Sequence, residues 1–505
     1  MDWTDRLAEL SKNSRVAHAL WLATAVFVSW LHLFIRTLGI RHSDLPLDDA
    51  GTWGVARRSL GTLLTLPTEF NSQPPFYYFI LHFLIPISSS SWFLRGISWF
   101  FCWLLILFVL FYWHELSLLA RVWFCLLFIF SGITQYLASA VRPYGLAAFL
   151  TLVSSVMLLR LARNPTRRRA IVYAVWATAM AYTMAFEVAV LVVHGLFVLG
   201  LVIGSFVRLS RAEALPRCKV WVLTMVAVGI AYLPFLIMAI HFQYNPNPTN
   251  TLGLILNFST YSSTLEGHFA LSQGALYGFL GLAILALVSE LWQRNGLVLL
   301  WPLMIVGSIA FVFYFIIGRS PIGAQGKYMT PAFLAACTLV SLGIQQFQPL
   351  VRQPVWLVLV GLLAVLAGSK FQAFHAYMNA ESDTGQFTIM HRELMKYPGK
   401  KVIFFDVGYD GQHLEYVTRD DPDVSYATMR GRGWASGGAY RITEEYVRST
   451  IEHSQGTTRC FFYFVHEPGG PVAKAFVPTL ERKGYRRTPR FPLIWGHEVV
   501  GYCPI

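Results

Sequence analysis

A chain of 505 residues exceeds one ordinary domain, and its makeup of 55% hydrophobic and 13% charged residues departs from the roughly 25% charge of soluble domains. The formal net charge is +13, but the basic residues stand singly or in short clusters between apolar runs. That pattern excludes a nucleic-acid-binding face and points to topology determinants and contacts with anionic membrane lipids.

Charge is unevenly spread: residues 376–505 carry 16 Lys+Arg and 15 Asp+Glu, a soluble content, whereas residues 1–375 carry 24 and 12. In chain order, apolar segments are predicted near 16–38, 76–87, 92–113, 117–139, 144–162, 170–186, 188–207, 220–242, 273–293, 296–318, 329–346 and 355–373. A spanning helix needs about 20 mostly apolar residues. Eleven of the segments meet that length or nearly do. The segment 76–87, behind Pro74-Pro75, is too short and is expected to dip into the membrane without crossing. The stretch before Val16 has no cleavable signal pattern, so the first apolar run is expected to remain as a span.

Basic residues set the orientation. With the N-terminus in the cytoplasm, fifteen basic residues of the membrane part fall inside and nine outside. A crossing at 76–87 would force the Arg163–Arg169 cluster outside. The expected architecture is therefore an all-α polytopic membrane domain of about eleven transmembrane helices over 1–375, followed by a small soluble α/β domain over 376–505 on the outer side. Two long outer loops, 39–75 and 243–272, suggest binding.

In the tail, strands are predicted at 401–406, 460–465 and 498–503, and helices at 411–418, 443–454 and 471–484. It carries no phosphate-binding glycine loop and no catalytic constellation. Cys460 and Cys503 fall in two of those strands and would pair if the domain faces an oxidising space. Cys102, Cys125, Cys218 and Cys337 lie in or beside apolar helices and read as packing residues.

The first outer loop holds adjacent acids, Asp48 and Asp49, then Arg57-Arg58, then Glu69 and Gln73-Pro74-Pro75-Phe76-Tyr77-Tyr78, with His82 beyond. Neighbouring carboxylates repel, and persist where a cation or proton chemistry uses them. One could accept a proton from an attacking hydroxyl while the other orients it or holds a metal. A solvated acidic turn explains the pair equally well. Arg57, Arg58, Arg95, Arg142 and Lys327 defy the positive-inside bias. An anionic phosphate would compensate them, as would pairing with Asp48, Asp49, Glu69, Glu187 or headgroups. Glu187, at the outer end of an apolar segment, is either functional or half of a structural ion pair. His82 and His194 read as hydrogen-bonded core histidines before ligands.

Five stretches in this order resemble the GT-C superfamily of membrane glycosyltransferases, most closely its protein O-mannosyltransferase and lipid A aminoarabinose transferase branch. Asp48-Asp49-Ala50 resembles the family's Asp-Glu-Ala, and Gln73-Pro74-Pro75-Phe76-Tyr77-Tyr78 with His82 resembles its His-Pro-Pro-Leu-Tyr-Tyr. Phe93-Leu94-Arg95-Gly96-Ile97-Ser98 resembles Ala-Leu-Arg-x-x-Ser, and Ala140-Val141-Arg142-Pro143-Tyr144 resembles Glu-Ala-Arg-Pro-Tyr. Lys327-Tyr328-Met329-Thr330-Pro331 stands where the family has Arg-Tyr-Leu-x-Pro.

The resemblance implies an inverting enzyme that moves a sugar from a polyprenyl-phosphate donor to a glycan, lipid or protein acceptor on the outer face. Asp48 and Asp49 would be catalytic, with Asp48 the base. Arg142, Lys327, Arg58 and Arg95 would meet the donor phosphate. Glu69, Gln73, Tyr77, Tyr78, His82, Tyr144, Glu187 and Tyr328 are substrate-binding candidates. No cofactor is required by the resemblance, and a divalent cation at Asp48/Asp49 stays open. A bacterial inner membrane with a periplasmic tail is the implied location. A flippase of lipid-linked sugars is the alternative, since it would bind the same phosphate without needing Asp48.

Overall fold

The computed structural model describes residues 23, 25–33, 45, 47–64, 74–241, 273–293, 295–318, 326–347, 385–405, 416–427, 444–454, 458–465, 471–488, 491–492 and 498–504. The chain divides into two compact units. The first holds Met1–Arg41, Arg95–Leu236 and Pro246–Met378; the second holds His42–Leu94, Ile237–Asn245 and Asn379–Ile505. Among the described residues the fold is mostly helical with one small sheet.

In the first unit the apolar segments become the helices Tyr144–Arg163, Arg167–Ala181, Val188–Arg208, Gln273–Trp292, Leu300–Gly318 and Thr330–Phe347. The helices Ser91–Phe111 and Arg211–His241 run on from it past the division between the units. Among the described residues, four helices are long and apolar enough to cross a membrane: Ser91–Phe111, Tyr144–Arg163, Ala185–Arg208 and Arg211–Ile237. Leu223, Val226, Ile230 and Leu233 are exposed along the last of these. In water such a stripe would be an aggregation liability; against acyl chains it is the solvated face. This is an integral membrane protein. The segment 355–373 and parts of 16–38 lie outside the described residues.

The segment 117–139 is not one straight span. It forms two helices, Leu118–Ile129 and Gly132–Ser139, bent by 71°. Ser131 explains the break. Its Oγ accepts from the Thr134 backbone N–H at 3.2 Å and donates to the Phe128 carbonyl at 2.9 Å, capping both helices with one hydroxyl.

One ion pair anchors the turn after Ser91–Phe111. Arg160 grips Glu115 with both nitrogens, Nε to Oε1 at 2.7 Å and Nη2 to Oε2 at 3.0 Å, and its guanidinium lies 4.5 Å from the Tyr112 ring centre. Burial alone would raise the Glu115 pKa, but the Arg160 bonds, with the Arg163 charge, hold it below its ordinary value.

The second unit contains the helix Leu47–Ala56, the nine-residue helix Phe76–Leu84, and the tail. Nine residues rise about 13 Å, well short of a 30 Å hydrocarbon core. The tail is a mixed sheet of β1 (Lys401–Phe405), β2 (Val424–Ala427), β3 (Cys460–Val465), β4 (Tyr485–Arg487), β5 (Phe491–Pro492) and β6 (Glu498–Pro504). The order β2-β1-β3-β6-β4 has β2, β1 and β3 parallel, with β6 antiparallel to β3, β4 and β5. Alternation decides which face each side chain joins. Phe404, Phe461, Tyr463 and Tyr502 pack with Val447, Ile451, Phe476 and Leu480 of the helices Glu444–Ser454 and Pro471–Arg482. Ile403, Phe462 and Val499 pack with Met390 and Leu394 of the helix Gly385–Leu394. Cys460 and Cys503, facing across β3 and β6, form a disulfide.

Predicted tail strands and helices coincide with β1, β3, β6 and the Glu444 and Pro471 helices. The sequence missed β2, β4, β5 and the Gly385 helix. Residues 411–415 of the predicted 411–418 helix lie outside the described residues.

Candidate active site

Each unit gathers part of the predicted site. In the second unit, Asp48 and Asp49 sit in the first turn of Leu47–Ala56. Asp49 is buried, as are Ala50, Thr52 and Trp53. Asp49 and Trp53 stand at i and i+4, so they share one helix face. Several contacts tie this helix in place. His82 Nδ1 donates to the Ala56 carbonyl at 2.8 Å, which fixes Nδ1 as the protonated nitrogen because a carbonyl can only accept. Trp53 Nε1 donates to Ser89 Oγ at 3.4 Å. The Trp53 ring also meets the edge of the Tyr416 ring at 5.1 Å and 84°.

His82, a substrate-binding candidate in the sequence, thus bonds the end of the carboxylate-bearing helix. Tyr77 and Tyr78 are both buried, with ring centres 6.4 Å apart. Arg58 is half-buried in the turn after the helix, and the Arg57 guanidinium covers the Trp53 ring at 4.5 Å. Glu69 and Gln73 lie outside the described residues.

In the first unit, three motifs converge from far apart in sequence. Arg95 is buried at the start of its helix, and one turn on Ser98 Oγ donates to the Arg142 carbonyl at a long 3.5 Å. Gly145 permits that approach: a Cβ there would stand 2.7 Å from the Ser98 carbonyl oxygen and 3.2 Å from that of Leu137. Tyr144 meets Tyr136 at 5.6 Å on one side and Tyr328 at 6.4 Å on the other. Tyr328 in turn stacks on Phe186 at 4.0 Å. The Arg142-Pro143-Tyr144 and Lys327-Tyr328 stretches are therefore neighbours, with Lys327 in the 3-10 turn Gly326–Met329.

Glu187 follows Phe186 and is fully buried. Its Oε2 accepts from Thr151 Oγ1 at 2.6 Å, and its Oε1 has no hydrogen-bond partner among the described residues. The ion pair expected of a structural acid is absent there among the described residues. About two helical turns on, His194 is satisfied on both sides, by Ser155 Oγ at its Nε2 and by the Tyr173 hydroxyl at its Nδ1, each at 3.1 Å. Ser155 Oγ donates to the Thr151 carbonyl at 2.7 Å, so Nε2 donates to Ser155 and Nδ1 accepts from Tyr173. This is a core histidine, as the sequence suggested.

Sequence reasoning missed Trp53, Ser89, Tyr416, Gly145, Phe186 and Thr151. The i, i+4 spacing of Asp49 and Trp53 was available as a signal; nothing local marks Tyr416.

No protein-family model matches this chain, and no curated protein matches it. Among solved structures it is similar to ArnT from Cupriavidus metallidurans in the apo state, at 13% identity and TM-score 0.61, covering 96% of this chain and 98% of that one. The same protein bound to undecaprenyl phosphate gives 13% identity and TM-score 0.60, covering 97% and 98%. At that identity the likeness is one of fold.

Proposed function

We propose that this chain, which has the GT-C fold of membrane glycosyltransferases, is an inverting enzyme moving a sugar from a polyprenyl-phosphate donor to an acceptor hydroxyl on the outer face of the membrane. The observation carrying this reading is the meeting of Tyr144 and Tyr328, which sets the Arg142 and Lys327 stretches side by side beside the Ser98 turn. The solved structure of ArnT with undecaprenyl phosphate supports a lipid phosphate as the anionic partner of such cations.

In the proposed step the acceptor oxygen attacks the anomeric carbon and the bond from that carbon to the phosphate oxygen breaks. The hydroxyl proton passes to Asp48, and polyprenyl phosphate departs with its new charge met by Arg142 and Lys327, with Arg58 and Arg95 as further cations. One base suffices for a single inverting displacement. Asp49 holds its neighbour's surroundings, and Glu187, whose Oε1 has no partner among the described residues, takes a hydrogen-bond donor from the substrate. The Cys460–Cys503 disulfide supports an oxidising compartment for the tail, hence a periplasmic domain on a bacterial inner-membrane protein with a cytoplasmic N-terminus.

Purified protein supplied with labelled polyprenyl-phosphate sugars and a panel of glycan, lipid and protein acceptors tests this. Asp48→Asn should abolish transfer, and Arg142→Gln and Lys327→Gln should each slow it by about 10²-fold or more, the scale of losing one preorganised charge contact. Transfer equal in Asp48→Asn would remove that residue from its role.

A further inference from the structure

We infer that Tyr416 of the tail domain is a positioning residue for the Asp48–Asp49 pair. The inference rests on the transfer reaction proposed above for its kinetic consequence, and on geometry alone for its structural one.

Tyr416 and Trp53 are each 1% exposed, so their edge contact is a packed, water-free one. The Tyr416 hydroxyl donates to the Ser89 carbonyl at 3.1 Å, while Trp53 donates to the Ser89 hydroxyl. Ser89 is thus held by both rings at once. A cation then lies over each ring, Arg57 at 4.5 Å from the Trp53 centre and Arg419 at 4.4 Å from the Tyr416 centre. Arg419 Nη1 also donates to the Tyr416 carbonyl at 2.8 Å, fixing the turn that presents the ring.

Trp53 lies one turn beyond Asp49 on the same face of a ten-residue helix, so a force on the indole is a force on the carboxylate's backbone. A helix this short is marginal alone and takes its position from its neighbours. His82 fixes its far end and Ser89 its middle, and Tyr416 adds a tie from the tail domain. This gives the tail, which showed no catalytic residues in sequence, a task in the reaction.

The test pairs Tyr416→Ala, which removes ring and hydroxyl, with Tyr416→Phe, which keeps the edge contact, in the full-length protein. Amide hydrogen exchange over 49–56 should speed by about tenfold or more in Tyr416→Ala and change little in Tyr416→Phe, with β3 still protected as the sign of a folded tail. If β3 loses protection in Tyr416→Ala, Tyr416→Leu, which keeps apolar bulk, takes its place. In the transfer assay kcat should drop about 10- to 100-fold with donor KM within about threefold, since misplacement near 1 Å costs on that order. Tyr416→Phe should restore most of kcat. Unchanged exchange over 49–56 with β3 intact overturns the inference. So does a rise in KM with kcat preserved. A wild type that transfers no sugar refutes only the proposed function, because the exchange measurement needs no turnover.

Discussion

Replacing Gly145 by Ala should destabilise the protein although alanine is the better helix former. The added methyl would stand 2.7 Å from the Ser98 carbonyl oxygen, 3.2 Å from that of Leu137 and 3.3 Å from Cys102 Sγ. Two of these are backbone atoms in helices, so no rotamer change relieves the contact; the helices must part by several tenths of an ångström. Overpacking of this kind costs about 1–3 kcal/mol, against a helix-propensity gain of at most about 1 kcal/mol. With the full propensity gain subtracted, the net loss reaches about 2 kcal/mol. Gly200 supplies the control, since nothing lies within 4 Å of a Cβ there. Thermal unfolding in detergent, followed on both variants, should show Gly145→Ala below wild type and Gly200→Ala at or above it. Because Gly145 follows the Arg142-Pro143-Tyr144 stretch, transfer should fall as well. Equal midpoints for the two variants would refute the close approach of Ser98 to the Arg142 turn.

Three other outcomes follow from the geometry. Glu115→Gln should cost about 1–2 kcal/mol at neutral pH by loosening the two-pronged Arg160 bond. The Glu115 pKa is lowered in the folded protein, so this stabilisation is complete above its ordinary value of 4.5 and fades as pH falls through the lower folded value. Unfolding midpoints of wild type and variant should therefore converge only in acid; a constant gap would contradict the pair. Reducing Cys460–Cys503, which closes a 43-residue separation, should weaken the tail domain by about 4 kcal/mol on chain-entropy grounds, read by its midpoint with and without dithiothreitol. Alkylation of both thiols in the unreduced native protein would exclude the bond. Thr151→Val should cost about 0.6–2 kcal/mol by stripping Glu187 of its hydroxyl partner, and Glu187→Gln should recover part of that loss in a double-mutant cycle. Simple additivity would separate the two residues.

Much of the fold was legible because its driving pattern is local. Apolar length gave most helices, and the run Val402-Ile403-Phe404-Phe405 and its counterpart Phe461–Val465 announced β1 and β3 as strands, which the sheet order sets at its interior. β4 was hidden because Tyr485-Arg486-Arg487 is short and polar, as an edge strand can be. The break at Ser131 escaped because hydropathy averages over a hydroxyl, though Ser131-Gly132-Ile133-Thr134 inside an apolar run was a capping signal. At the site, motif order led to Tyr144 and Tyr328, which the fold brings together. It could not lead to Tyr416, whose bond to Ser89 joins residues 327 apart and leaves no periodic trace. His82, whose place in an apolar helix reads as that of a hydrogen-bonded core histidine before a ligand, is tied to the Ala56 carbonyl.

The proposed chemistry is tested most directly by following one label through one vesicle. Protein reconstituted in liposomes with a sugar-labelled polyprenyl phosphate and a competent acceptor should move label from the lipid to the acceptor, releasing one polyprenyl phosphate per sugar, and Asp48→Asn should abolish both. Label that crosses the bilayer while still joined to its lipid phosphate, equally well in wild type and Asp48→Asn, would identify a flippase and contradict the account.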